Sequence, residues 1–268
     1  MRDWDATLLE LGKLQMGPEY PGPTGAFANT VDVPVNALLL RRDDEAVLID
    51  TGSGVADAWW PGAAGLPEAL KRVDCDPAMI TRIVLTHLDF DHAGGVCVGP
   101  FPDELEPAFP VARVAVLAEG LDWWRARDPR AAFNLGTRLI AELSARRRLD
   151  TFDDGAEVSA GVRVFSAAGH RPGHACVVVD GRLLHLADLV HHSEQIAHPD
   201  WDPQFDHDAT LARGTRRRWL EIAAQTGIEV VHTHVSGAGR IAADGDGFRW
   251  RPRSAAEPLE GRVAISRP

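Results

Sequence analysis

The chain has 268 residues, 45% of them hydrophobic and 25% charged, enough to build a sizeable core and too rich in apolar side chains for a disordered segment. Lys plus Arg total 28 against 39 Asp plus Glu, a formal net charge of −11 that disfavours a polyanionic partner such as nucleic acid. Three scattered cysteines without a CxxC pair fit a reducing, cytoplasmic setting better than a disulfide framework.

The N-terminus, Met1 to Asp5, carries acids early and has no apolar core, so it does not read as a signal peptide, and no apolar run approaches the roughly 20 residues of a membrane span. Asn36–Arg41 and Ala46–Asp50 are apolar runs flanking a charged turn, which predicts a hairpin. Residues 66–74 predict a short helix with Pro67 near its start. Thr81–Thr86 is a strand that ends at a His/Asp cluster. Arg113–Leu117 and Val162–Phe165 are further strands, with Phe133, Leu135, Leu139, Ile140 and Leu143 at helical spacing between them.

Ala175–Val179 and Arg182–His185 surround Asp180-Gly181, a strong hairpin dipeptide. Residues 208–226 predict a helix capped by Asp208 and stopped by Gly227. Residues 240–243 and 248–251 predict a last hairpin around Asp244–Gly247. Two basic runs, Arg146–Arg148 and Arg216–Arg218, read as solvated helix faces. No low-complexity segment or Gly/Ser linker divides the chain, so residues 1–268 read as one domain of layered sheets covered by helices.

The chemistry concentrates in four islands at strand ends. His87, Asp89, Asp91 and His92 crowd into six residues, followed by Gly94-Gly95, where the backbone can pass close to a neighbour. Imidazole and carboxylate donors suit zinc, iron and manganese, and the absence of nearby cysteine argues against a sulfur-rich structural zinc site. His170 and His174 follow a second strand, Asp188 follows a third, and His232 and His234 a fourth. One strand-end histidine is usually structural; four islands together point to a metal centre.

The order His87-x-Asp89-x-Asp91-His92, then His170, Asp188 and His232, with Asp50-Thr51-Gly52 ahead of them, resembles the metallo-β-lactamase superfamily over roughly residues 35 to 242. Within it the pattern is most similar to the acyl-homoserine lactonase and methyl-parathion-hydrolase-like branch, which often carries a histidine shortly before a Gly-x-Gly turn, here Gly237-Ala238-Gly239. The resemblance implies an α/β (α+β) fold, an αββα sandwich of two mixed sheets flanked by helices. It implies two divalent ions, zinc first, with iron or manganese as alternatives. His87, Asp89 and His170 would serve one ion, Asp91, His92 and His232 the other, and Asp188 would bridge. His232 is preferred to His234 on its spacing to the turn, and His174 is left as a supporting residue. Asp89 departs from the family pattern, which has histidine there; a carboxylate is harder and lowers the net charge of the metal pair.

The implied activity is hydrolysis of a small-molecule ester or lactone by a hydroxide shared between the ions, with Asp91 as the catalytic residue that orients it and handles its proton. Alternatives are another bond (thioester, phosphotriester or β-lactam), a di-iron redox enzyme of the same fold, or a metal-stabilised binding protein; a nuclease is the least attractive. Substrate-binding residues are not specified. His191 and His192 read equally as substrate contacts or ordinary loop residues, and Trp59, Trp60, Trp123 and Trp124 as packing residues first. Tyr20 could assist only if the N-terminal segment folded over the site. A homodimer is compatible with the sequence, which does not specify it, and a membrane partner is not expected.

Overall fold

The computed structural model describes residues 3–17, 30–128 and 134–253. Tyr20 and Phe133 lie outside them. The chain divides into two compact units, one from the described residues of Met1–Leu14 and Pro34–Asp153, the other from those of Gln15–Val33 and Asp154–Pro268.

In the first unit, β1 (Asp5–Met16), β2 (Val31–Arg42) and β3 (Glu45–Ile49) are followed by α1 (Leu66–Arg72), β4 (Ile80–Val84), α2 (Phe90–Ala93), β5 (Cys97–Val98), β6 (Glu106–Pro107), β7 (Arg113–Leu117), α3 (Leu121–Arg125), α4 (Leu135–Ala145) and β8 (Leu149–Phe152). Six strands form one sheet in the order β1-β2-β3-β4-β7-β8, and β5 pairs with β6 alone. β2 and β3 are the expected hairpin, turning at Asp43 with φ 51°. Within this sheet β3, β4, β7 and β8 run parallel, so each connection must cross back over the sheet. Leu70, Leu85, Leu88, Trp124, Leu139 and Leu143 are among the buried side chains of its core.

The second unit holds β9 (Glu157–Ser159), β10 (Val162–Ser166), β11 (Ala175–Val179), β12 (Leu183–His185), α5 (Glu194–Ala197), α6 (Ala209–Thr226), β13 (Glu229–Val231), β14 (Ala238–Asp244) and β15 (Gly247–Pro252). The sheet order is β15-β14-β13-β12-β11-β10-β9, with β12 and β13 its parallel pair. The β11–β12 turn has positive φ at both Asp180 and Gly181, the type I′ signature that matches strand twist. α6 starts where Asp208 accepts a hydrogen bond from Leu211 N at 2.9 Å and stops at Gly227, φ 65°. Trp219, Leu220, Val230 and Phe165 anchor a core separate from the first.

The strand β1 has no counterpart among the sequence expectations; Leu9, Leu11 and Leu14 are its buried residues. The basic runs differ from expectation. Arg147 and Arg148 lie beyond the end of α4, and Arg216 is buried at 1% exposure, while Arg217 and Arg218 lie on the outside of α6. Among the described residues no helix is long and apolar enough to cross a membrane.

All three cysteines are buried and reduced. Burial pushes their thiols up, Cys97 to about 12, so none is a thiolate at neutral pH. An expected consequence is that a thiol-specific reagent at pH 8 leaves the native protein unlabelled and titrates three thiols per chain after denaturation. Rapid labelling of a native cysteine would contradict this burial.

Candidate metal centre

In the first unit, the β4 strand ends at Val84, and Thr86, His87, Asp89, Asp91 and His92 follow within eight residues. Their frame is Asp50, fully buried at the end of β3. Its Oδ1 accepts from Thr86 N at 2.8 Å, and its Oδ2 accepts from Thr86 Oγ1 at 2.7 Å. His92 Nδ1 lies 2.8 Å from the same Oδ2, so it donates there and directs its Nε2 lone pair the other way. Because the Thr86 hydroxyl proton goes to Asp50, its oxygen accepts from His87 Nδ1 at 3.2 Å, which fixes the same tautomer on His87.

The two imidazoles lie 4.0 Å apart at 49°. His87 Nε2 is 3.7 Å from Asp89 Oδ2, and His92 Nε2 is 3.9 Å from Asp91 Oδ2. Asp89 stands at the N-cap of α2, yet its carboxylate accepts no capping bond from that helix. Aspartate is a preferred cap, so a carboxylate turned from that role is spent on something else.

Gly94 and Gly95 hold the cluster against the Asp50 turn. A Cβ on Gly94 would fall 1.8 Å from Ser53 O, and one on Gly95 2.2 Å from Thr51 O. Thr51 ties back through its N and its Oγ1, both donating to His92 O at 2.7 Å. Trp60 stacks on Phe90, between the two aspartates, at 4.5 Å. Trp124 belongs to the core, Trp123 meets it edge to face, and Trp59 is 42% exposed.

In the second unit, His170, Asp188, His191 and His234 come together. Asp188 Oδ1 faces His234 Nε2 at 3.3 Å, whereas Oδ2 faces His170 Nε2 at 3.4 Å and His191 Nε2 at 3.3 Å. Two donors about 2.1 Å from one tetrahedral zinc lie about 3.4 Å apart, so these spacings, which direct imidazole–carboxylate hydrogen bonds also give, are compatible with a shared ion. His170 is oriented by Asp206, whose Oδ1 accepts from Nδ1 at 2.9 Å. Burial pushes the Asp206 carboxyl up; the His170 hydrogen bond and the His191, His170 and Arg216 charges outweigh it and hold it below its ordinary value. His174 works from behind: its Nδ1 donates to Ala167 O at 2.7 Å, and its Nε2 accepts from Asp188 N at 3.1 Å. It positions the Asp188 backbone and leaves the carboxylate alone.

The preference for His232 over His234 does not match this geometry. His232 is fully buried with its ring 5.3 Å from Trp250, and it is His234 that presents Nε2 to Asp188. Burial, reinforced by His185 and His234, lowers His232 to about 3 from 6.5. Between those values the unfolded chain binds the extra proton, so His232 contributes stability above pH 6.5 that is lost as pH falls toward 3. Chelator-treated protein should therefore resist urea better at pH 7 than at pH 5, and His232→Gln should flatten that difference. An unchanged slope in the variant would remove His232 as its cause. Asp206 and Arg216 lie in the stretch 198–216, which is similar to the lactonase-like branch, but the sequence assigns neither residue a role at the site.

The family profile described as "Metallo-beta-lactamase superfamily" matches residues 30–234. A "Probable metallo-hydrolase" of Mycobacterium tuberculosis is 30% identical over 221 residues, covering 69% of this chain and 68% of that protein. An N-acyl homoserine lactonase of Rhizobium rhizogenes is 29% identical over 114 residues, covering 33% of this chain and 41% of that protein. Among solved structures, a hydrolase of the beta lactamase superfamily superposes with a TM-score of 0.79 at 25% identity, covering 96% of this chain and 97% of the other. The dizinc quorum-quenching lactonase AidC does so with a TM-score of 0.80 at 22% identity and the same coverage, a likeness of fold.

Proposed function

The chain belongs to the metallo-beta-lactamase superfamily and has its fold, and from that premise we propose that it is a dinuclear hydrolase of small esters, lactones first among them. One observation carries the reading. Asp188 presents one carboxylate oxygen to His234 Nε2 and the other to His170 Nε2, which would let the one carboxylate serve both ions.

By the superfamily pattern, His87, Asp89, Asp91 and His92 of the first unit and His170, Asp188 and His234 of the second would be the donors of the two ions. The donors fit: they are nitrogen and carboxylate oxygen, their tautomers are set by Asp50 and Asp206, and their spacings suit shared ligation. Bound there, the ions supply a water of lowered pKa and a Lewis acid for the substrate oxygen. Asp91 takes the proton of the attacking water and returns it to the leaving alkoxide, which a lactone keeps tethered. The relative that is named an N-acyl homoserine lactonase supports the lactone preference, and the net charge of −11 supports a small substrate over a nucleic acid.

Protein purified without chelator should carry about two metal ions per chain, open acyl-homoserine lactones, lose that activity with chelator and regain it with zinc. Iron or manganese restoring more activity than zinc would reassign the metal. Turnover of thioesters, phosphotriesters or β-lactams with lactones untouched would reassign the substrate. Full activity in metal-free protein would remove the reading.

A further inference from the structure

We propose that His191 is itself a metal ligand, supplying an imidazole to the ion served by His170 and Asp188 Oδ2. The inference rests on the dinuclear reading above and extends it to a residue that the family pattern leaves unassigned.

The geometry is local to one unit. His170, Asp188 and His191 each place a donor atom within 4.8 Å of the other two. His191 Nε2 stands 3.3 Å from the same carboxylate oxygen that His170 Nε2 approaches at 3.4 Å, so the two imidazoles hold equivalent positions toward it. Their rings lie 4.8 Å apart and inclined at 58°, converging from different directions rather than stacking.

The chain builds this placement deliberately. Ala187–Leu189 form a single 3-10 turn, which returns His191 to the side on which Asp188 projects. The segment is then pinned: His191 N donates to Gln195 Oε1 at 2.9 Å, and Gln195 Nε2 donates to Trp201 O at 2.9 Å. His191 is 2% exposed, so its imidazole is held rather than free to swing to solvent. His192 next to it is half-buried, and its Nδ1 instead accepts from Glu194 N at 3.2 Å.

The chemistry gives the ligand a purpose. Within this unit His170 would be the ion's one imidazole beside the Asp188 carboxylate. His191 would make a second, and a softer donor set favours zinc over harder ions. Because imidazole is neutral, it would add a nitrogen donor without adding charge.

The test uses full-length protein reconstituted with zinc, comparing wild type with His191→Ala, His191→Phe and, as a ligand control, His170→Ala. Chelator competition should show one ion weakened in both His191 variants by more than about a hundredfold, beyond the roughly 10–100-fold cost of losing an outer partner. X-ray absorption at the zinc edge should show the average imidazole count falling with it, as in His170→Ala. His191→Phe keeps the space filled, so loss of the ion in both variants is not attributable to a collapsed loop. Variants that keep both ions at wild-type affinity and imidazole count, while turnover falls, would make His191 a substrate contact and overturn the proposal. Wild type that binds no ion pair at all would instead overturn the dinuclear reading.

Discussion

Asp188→Ala is expected to reduce bound metal from about two ions to one or fewer and to lower hydrolysis by about 10³-fold or more. The carboxylate faces imidazoles on both of its oxygens, so its loss removes a donor from each proposed ion at once. Several kcal/mol of charge stabilisation then disappear, and each 1.36 kcal/mol is a decade in rate. The backbone should survive, because His174 holds Asp188 through its main-chain N–H, which alanine retains. Asp188→Asn separates charge from shape: it keeps one acceptor oxygen and should lose less metal than alanine. Metal analysis, circular dichroism and initial rates on the three proteins decide the matter. A variant with two ions and rates within tenfold of wild type would mean that Asp188 does not bridge.

Arg216→Ala should produce the largest loss of stability of any single change away from the donors. The guanidinium donates from Nε to Leu189 O at 2.6 Å, from Nη1 to Pro199 O at 2.6 Å and to Trp201 O at 3.0 Å, and pairs through Nη2 with Asp206 Oδ2 at 3.3 Å. Removing it strands buried carbonyls and takes the guanidinium partner from the buried Asp206 carboxylate, at a cost of about 3–5 kcal/mol. For a chain of this size that lowers Tm by roughly 10 °C. Arg216→Lys should recover only part of the loss, since one ammonium cannot reproduce the planar fork. Burial disfavours the charged guanidinium, so the arrangement is retained for geometry: Asp206 must be held to hold His170. Calorimetric melting of the metal-free proteins tests this, and a shift under 2 °C for the alanine variant would refute it.

The fold was legible in the sequence wherever local chemistry decides it. Asp208 and Gly227 bracket α6 because a side-chain acceptor and a left-handed residue are local requirements. Asp180-Gly181 forms its turn for the same reason. The division into two units was not legible: two of its three breaks, at 14/15 and 33/34, fall inside β1 and β2, and the third, at 153/154, falls in a short connection with no linker composition. The donor islands were readable since each crowds chemistry at a strand end. His232 against His234 was not: β13 ends at Val231, so no strand alternation relates the two side chains, and spacing to a glycine turn says nothing about which one points at Asp188. Burial of Arg216 was hidden as well, since its acceptors are main-chain carbonyls that any residue carries.

The segment bearing His170 is fastened to the start of α6. His207 N donates to His170 O and Asp208 N to Gly169 O, each at 2.9 Å, and Gly169 lies so close that a Cβ there would sit 2.3 Å from Ala212 N. Selection for faster or altered turnover can therefore act without touching a donor. Enlarging Ala212, on an 18-residue helix, would shift the imidazole by fractions of an ångström. Variants accumulating along that face would retune the reaction while every ligand stayed in place.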